Sequence, residues 1–188
     1  MPEPLIVIAI HQLVFQGMFF AKNFVLHRQL GQRIRGTNKE ANLFIGFFVI
    51  FAGFTFYLAY QSASPMGFSS LLDSASHIVG ILLMIVSVII GWASLRDLGD
   101  SWRVGVIEEQ QTQLVDTGIY GFSRNPYFLA YITLFAAYTV FLKSLILLLL
   151  SVLGYGLIRG LVRKEEDYLT AQHGDAYRKY KEGVPRFL

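Results

Sequence analysis

The segment 118–127 combines side chains that could bind a small charged molecule. It reads Gly-Ile-Tyr-Gly-Phe-Ser-Arg-Asn-Pro-Tyr, and its proline suits the first turn of a helix. A helix N-terminus presents free N–H groups and a positive dipole end, so Arg124 and Asn125 at that position would suit a carboxylate or a phosphate. The alternative is structural: Asn125 caps the helix, Arg124 anchors it at a membrane surface, and Tyr120 and Tyr127 form an interfacial aromatic belt.

Two adjacent acids, Glu165 and Glu166, form the second candidate group. Adjacent side chains on a helix point to different sides, so at most one of these carboxylates shares a given pocket while the other pairs with a cation. Arg159, Arg163 and Lys164 are available as that cation. The alternative places both acids in the first turn of a solvated tail helix.

Two further polar residues, His11 and Gln12, interrupt the first apolar stretch of the chain. They could line a path for a substrate, but their position near one end of that stretch favours simple solvation at the membrane interface. The chain contains no Cys, and the other His residues lack the spacing of metal ligands. We therefore expect no disulfide, no thiolate nucleophile and no metal site.

The composition shows what surrounds these polar groups. Of the 188 residues, 54% are hydrophobic and only 15% are charged, and the mean hydropathy is +0.47. That is too apolar for a soluble domain of this size, so the excess must face lipid. The sequence pI is about 9.2, but the basic residues are scattered between apolar blocks, which argues against a nucleic-acid partner.

Five apolar stretches are long enough, or nearly so, to cross a bilayer, which needs about 20 residues per helix. They cover residues 5–26, 41–60, 77–95, 126–142 and 144–158. The sequence therefore predicts an all-α polytopic membrane protein with about five transmembrane helices. We divide it into a three-helix region, 1–95, and a region 96–188 with a loop, a helical hairpin and a tail. An antiparallel hairpin would bring the two glutamates to the same membrane face as Arg124, merging both groups into one candidate pocket.

The basic residues predict the orientation, because cytoplasmic loops hold an excess of Lys and Arg. In a five-span arrangement the first connection, the third connection and the tail share one side, and Lys143 lies on the other. The residues on the shared side are Arg28, Arg33, Arg35, Lys39, Arg96, Arg103, Arg124, Arg159, Arg163, Lys164, Arg178, Lys179, Lys181 and Arg186. We expect an external N-terminus and a cytoplasmic C-terminus, in a cell inner membrane.

Several short motifs follow in order between residues 95 and 188. They are Leu98-Gly99-Asp100-Ser101-Trp102, Leu114-Val115, Gly118-Ile119-Tyr120, Arg124-Asn125-Pro126-Tyr127, Glu165-Glu166 with Leu169, Gly174, Tyr177, Tyr180 and Val184-Pro185-Arg186. In this order around a helical hairpin, they resemble the isoprenylcysteine carboxyl methyltransferase family, with its small prokaryotic members and the related phospholipid N-methyltransferases.

The resemblance implies an integral membrane methyltransferase that uses S-adenosylmethionine and accepts a lipophilic small molecule or lipid. It also implies roles for individual residues. The implied cofactor-binding residues are Tyr120, Arg124, Asn125, Pro126, Tyr127, Glu165 and Glu166, and the implied catalytic residues are Arg124, Glu165 and Arg163. The basic and acidic groups would hold the cofactor's amino-acid end, and aromatic faces would hold its sulfonium.

Three positions depart from the family pattern. Asn125 stands where eukaryotic members have His, Phe128 stands where Tyr is common, and Leu161 stands where carboxyl methyltransferases tend to carry an Arg. The last departure argues against a prenylcysteine carboxylate as acceptor, unless Arg159 or Arg163 compensates. Two other readings stay open: an NADPH-dependent membrane reductase of the sterol-reductase kind, and a non-enzymatic membrane scaffold.

Overall fold

The chain folds into a bundle of long helices. The computed structural model describes residues 3–30, 39–61, 70–102 and 113–188, and within them every regular element is helical. The elements are α1 (Glu3–Leu30), α2 (Lys39–Gln61), α3 (Ser70–Leu98), α4 (Pro126–Leu142), α5 (Leu145–His173) and α6 (Asp175–Gly183), with short 3-10 turns at Gly99–Ser101 and Gly118–Gly121. Each of the five predicted apolar stretches is thus a helix, and the predicted all-α fold is confirmed.

Four of these helices, α1, α2, α3 and α5, are long and apolar enough to cross a membrane, and α4 is a shorter apolar helix. Their outer faces are apolar: Leu13, Phe20, Val49 and Val152 are between 63% and 76% exposed. Exposed apolar faces of this extent are stable only against lipid. The protein is therefore an integral membrane protein.

Helix α4 forms the centre of the bundle. Leu134, Ala137 and Tyr138 on α4 have no exposed surface. Helix α3 approaches α4 closely, because a Cβ on Gly80 would lie 2.6 Å from the Cβ of Phe141. Neighbouring helices cover most of α4, and Ala136 is its one exposed residue; a helix covered in this way meets lipid over little of its surface.

The turn between α4 and α5 is the tight hairpin that the sequence predicts. Pro126 occupies the first turn of α4. Lys143 adopts a left-handed conformation, with φ of 47°, and the Ser144 side chain accepts a hydrogen bond from the N–H of Leu147 as an N-cap. The helices consequently run antiparallel, and the end of α5 returns to the level where α4 begins.

Two expectations about polar residues are wrong. Helix α5 continues without a break through Glu165 and Glu166 to His173, so the acids are not in the first turn of a separate tail helix. His11 and Gln12 are only 7% and 9% exposed, so they are buried in the bundle rather than solvated at an interface. Of the basic residues used for orientation, Arg33, Arg35 and Arg103 lie outside the described residues, as does the middle of the predicted loop 96–125, residues 103–112.

At one end of the bundle, α1 and α3 end while α2 and α4 begin, and α5 continues past it. We call this the basic end, because the described residues Arg28, Lys39, Arg96, Arg124 and Lys164 all lie there. Side-chain bonds tie the helices together at this level: the indole Nε1 of Trp102 donates to Oδ1 of Asn23 at 2.7 Å.

Candidate functional site

Arg124 lies at the centre of the basic end and joins three parts of the chain. Its guanidinium donates from Nε and Nη2 to Oε1 of Glu166 on α5, at 3.1 and 2.9 Å. From Nη1 it donates to the backbone carbonyls of Lys181 and Val184, at 2.9 and 2.6 Å. Four of the five guanidinium N–H groups therefore already have protein acceptors. The backbone N–H of Arg124 also donates to the backbone carbonyl of Pro185 at 3.0 Å. The segment before α4 and the tail therefore lie side by side.

Glu166 accepts from a second arginine. Arg186 donates from Nη2 to Oε2 at 2.6 Å and from Nε to Oε1 at 3.2 Å. Glu166 is 2% exposed, and its carboxylate raises the pKa of the Arg186 guanidinium through these hydrogen bonds. We call Arg124, Glu166 and Arg186 the arginine clamp. It is a buried, hydrogen-bonded charge group that holds the tail against the hairpin.

The cation partners expected for the acids are different from those observed. Lys164 pairs instead with Glu40 on α2 at 2.9 Å, and the Arg159 guanidinium stacks on Tyr155 at 6.0 Å from the ring centroid. Arg163 is exposed, and no ion pair joins it to the arginine clamp in the described part of the chain. The structure therefore does not bring Arg163 together with Arg124 and Glu165, and its catalytic role stays a prediction.

Glu165 takes the other direction, as the spacing of adjacent helix residues predicts. It is half-buried, and none of the described residues forms a hydrogen bond or ion pair with its carboxylate. Two tyrosines lie near it: burial raises the pKa of Tyr120 and of Tyr177, and the negative charge of the nearby Glu165 carboxylate adds to both increases. Within the described ranges, Glu165 is thus a carboxylate without a cation partner, near aromatic side chains.

Tyr120 is held from two sides. Its hydroxyl lies 3.0 Å from the Ser94 hydroxyl on α3, and its backbone carbonyl accepts a 2.7 Å hydrogen bond from the Tyr180 hydroxyl on α6. Burial raises the pKa of Tyr180 to about 12, so this hydroxyl keeps its proton as a donor. Tyr120 therefore couples the 3-10 turn to both α3 and the tail.

Asp97 positions that 3-10 turn, and the sequence reasoning missed it. Its Oδ2 accepts a hydrogen bond from the N–H of Ile119 at 2.8 Å. The preceding residue, Gly118, has a φ of +62°, and a Cβ atom added there would overlap the Asp97 carboxylate. An acid in the last turn of a helix faces the negative end of the helix dipole. That unfavourable placement was the available signal that Asp97 binds something other than its own helix.

Asn125 and Pro126 complete the start of α4. Asn125 occupies the N-cap position, but its side chain makes no capping bond. Its Nδ2 donates instead to the carbonyl of Arg186 at 3.2 Å, and Ser123 donates to the same carbonyl at 3.4 Å. Asn125 is therefore a tail-binding residue, and the capping alternative is wrong.

Aromatic rings cover the bundle side of the site. Tyr127 lies at centroid distances of 4.8 Å from Trp102, 5.0 Å from Phe19 and 5.2 Å from Tyr131. We call these four rings the aromatic wall. Faces of this kind attract cations such as a sulfonium or an ammonium. The sequence predicted a role for Tyr127, whereas Phe19 was not recognised because it lies far away in the chain.

Comparison with known proteins gives one family. The family model described as phospholipid methyltransferase matches residues 75–176, more than half of the chain. The matched range contains all of α4 and α5, together with Tyr120, Arg124 and both glutamates. The comparison with curated proteins gives no match.

Proposed function

Since the chain belongs to the phospholipid methyltransferase family, we propose that this membrane methyltransferase uses S-adenosylmethionine to methylate an amine-headed phospholipid at the basic end of the bundle. The observation that carries the proposal is Glu165: a half-buried carboxylate without a cation among the described residues, next to aromatic rings and to the arginine clamp, whose two arginines are already paired with Glu166. A site of this composition suits a ligand that carries positive charge.

The residues present fit the amino-acid end and the sulfonium of S-adenosylmethionine. When bound, this cofactor supplies a methyl group on a positively charged sulfur, which retains the carbon–sulfur electron pair as the acceptor attacks. Glu165 accepts hydrogen bonds from the ammonium of the amino-acid end. Tyr127 and Trp102 would hold the sulfonium, and their ring faces would favour this cation over its neutral product.

The arginine clamp acts mainly by positioning. Because four N–H groups of Arg124 are engaged, one N–H on Nη2 is left for the carboxylate of the cofactor. By joining residues 184–186 to α5, the clamp also fixes the turn of α5 from which Glu165 projects. In this proposal Arg124 keeps the direct contact with the cofactor that the sequence predicts, whereas Glu166 acts through the arginine clamp.

The acceptor is an amine-headed phospholipid rather than a prenylcysteine carboxylate. Leu161 is half-buried and packs against the apolar core, so no cation stands there to pair with a carboxylate, and desolvating an unpaired carboxylate costs several kcal/mol, roughly 2 to 7 for a polar group and more for an ion. An amine attacks as the free base and needs only to release its proton beforehand. Family membership also favours methyl transfer over the reductase and scaffold alternatives.

The orientation follows the basic residues. The basic end faces the cytoplasm, where the water-soluble cofactor is made, and the N-terminal end of α1 faces the outside of a cell inner membrane. The lipid reaches the site from the bilayer between helices. Exclusion of water by the lipid-covered bundle and fixed orientation of the two reactants then supply most of the catalysis.

Calorimetry of the purified protein in detergent tests the proposal. S-adenosylhomocysteine binds the wild-type protein, and Glu165→Gln weakens this binding about tenfold because a charge-assisted hydrogen bond is worth about 1.5 to 3 kcal/mol. Glu182→Gln, the same change at an exposed glutamate of α6, leaves the affinity unchanged. Binding of NADPH instead of S-adenosylhomocysteine, or equal affinities in all three proteins, would contradict the proposal.

A further inference from the structure

A network of polar side chains lies inside the bundle, several helix turns away from the basic end. His11 on α1 donates from Nε2 to the backbone carbonyl of Met84 on α3, at 3.1 Å. Its Nδ1, 2.6 Å from the Tyr138 hydroxyl on α4, therefore accepts from that hydroxyl in the neutral ring. In this part of the network both ring nitrogens of His11 have hydrogen-bond partners, and these bonds hold α1, α3 and α4 together.

The remaining part of the network is not satisfied. The carboxamide Nε2 atoms of Gln12 and Gln16 are buried and have no hydrogen-bond partner among the described residues, and Gln12 is 9% exposed. The two residues are four positions apart, so they share one face of α1 and lie about 6 Å apart along its axis. Both face α4: the Gln12 carboxamide lies beside the Tyr138 hydroxyl, and Oε1 of Gln16 accepts from the Tyr131 hydroxyl at 3.4 Å.

Two unpaired donors at this depth need an explanation. The hydrocarbon core contains no water to satisfy them, and each buried unpaired donor costs about 1 to 3 kcal/mol. Polar side chains inside membrane helices generally face a bundle interior and mark the path of a substrate or ion. What the two amides lack is an acceptor oxygen, and a lipid supplies one.

The two glutamines connect directly to the proposed methyl-transfer site. Tyr131, the partner of Gln16, lies one turn from Tyr127 on α4, and the centroids of their rings are 5.2 Å apart. From Tyr127 at the aromatic wall, the path therefore leads through Tyr131 to Gln16 and then to Gln12. A phospholipid in its ordinary orientation places its headgroup at the membrane face and its ester carbonyls deeper, in the same order.

We propose that Gln12 and Gln16 form a lipid-binding subsite in which their carboxamides donate hydrogen bonds to the ester carbonyl oxygens of a diacyl phospholipid. Helix α1 separates from α4 to admit the glycerol backbone, and the headgroup then reaches Tyr127 and Glu165. The identity of the headgroup rests on the proposed function. The residues of the subsite belong to α1, which lies outside the part of the chain matched to the family.

Native mass spectrometry of the purified protein tests the subsite without requiring turnover. The probes are dioleoylphosphatidylethanolamine and its dialkyl ether analogue, which lacks both carbonyls, each added with S-adenosylhomocysteine. The wild-type protein retains the ester lipid about threefold to tenfold better than the ether lipid, as expected for a neutral hydrogen bond. In Gln12→Leu/Gln16→Leu the ester preference disappears, while the affinity for S-adenosylhomocysteine is unchanged.

A matched control and a stability measurement separate binding from a structural role. Gln29→Leu makes the same change at an exposed position of α1 and keeps the ester preference. The double variant does not lose thermal stability, because Tyr138 keeps its bond to His11. The change removes two buried donors that have no partner among the described residues, at the expense of one long 3.4 Å bond from Tyr131. An equal preference for the two lipids in the wild-type protein, or an unchanged preference in the double variant, would overturn the subsite. Failure of S-adenosylhomocysteine to bind would instead overturn the proposed function.

Discussion

The carboxylate of Asp97 and the backbone of Gly118 are in direct contact, at the point where α3 ends and the turn that carries Tyr120 begins. Asp97 accepts from the next N–H, that of Ile119, and Gly118 allows this because it has no Cβ and its φ is +62°. The contact transmits the position of a membrane helix to a residue of the proposed cofactor site.

Gly118→Ala tests this relationship. The new Cβ overlaps Asp97 and occupies a left-handed conformation, so the variant loses about 1 to 3 kcal/mol of stability. Thermal unfolding in detergent measures the loss. Gly156→Ala is the control, because a Cβ at Gly156 has open space around it. Equal melting temperatures for the wild type and Gly118→Ala would show that the turn adapts freely.

Asp97→Asn separates positioning of Tyr120 from overall stability. An amide of the same shape accepts more weakly from Ile119, so the turn loosens and the affinity for S-adenosylhomocysteine falls about threefold to tenfold, the effect of one hydrogen bond. Calorimetry provides the measurement. If the melting temperature falls but the affinity does not, Asp97 has a structural role only.

Breaking the arginine clamp strongly destabilises the protein. The side chains of Arg124 and Glu166 are 8% and 3% exposed, and Glu166→Ala leaves two arginines without their shared carboxylate. Removing one member of a buried ion pair costs about 3 to 5 kcal/mol, and denaturant unfolding in detergent would record it. Arg178→Ala, in the exposed pair with Asp175, should unfold like the wild type. A small effect of Glu166→Ala would mean that the clamp is solvated in the protein.

The aromatic wall distinguishes the cofactor from its product by charge. Tyr127→Leu removes a ring that faces the proposed sulfonium, so binding of S-adenosylmethionine weakens by about 0.5 to 2 kcal/mol, whereas the neutral S-adenosylhomocysteine loses less. Tyr127→Phe retains the ring and serves as the control. Equal losses for both ligands in Tyr127→Leu would place the sulfonium elsewhere.

Arg163→Ala tests the remaining catalytic prediction. Because Arg163 is exposed and separate from the arginine clamp, a direct role requires that it contact the phospholipid headgroup. In that case Arg163→Ala raises KM for the lipid and leaves S-adenosylhomocysteine affinity unchanged. Unaltered kinetics would remove Arg163 from the site.

Reporter fusions test the orientation. We expect a reporter that is active only outside the cytoplasm to stay inactive when it is fused after Leu188, because the excess of basic residues predicts that the basic end and the tail face the cytoplasm. The same reporter placed before Glu3 is active. Activity of the C-terminal fusion would reverse the proposed topology.

The helices and the hairpin could be predicted from the sequence because their causes are local. A run of apolar residues must be helical in a bilayer, where backbone groups have no other partners. Pro126 and the Lys143–Ser144 pair mark the hairpin by their own conformational preferences. The same local logic predicted that Glu165 and Glu166 face different directions and that the acids return to the level of Arg124.

Only the tertiary structure decided which groups pair with one another. Arg186 rather than Arg159, Arg163 or Lys164 completes the pairing of Glu166, because the rotation of α5 about its axis and the path of the tail determine which cation the carboxylate reaches. The relative rotation and packing of the helices also decide that Asp97 binds the N–H of Ile119 and that Gln12 is buried in the bundle instead of lying at the membrane interface. Hydropathy and spacing along one chain contain no information about the relative rotation of packed helices, whereas side-chain contacts across the bundle depend on it entirely.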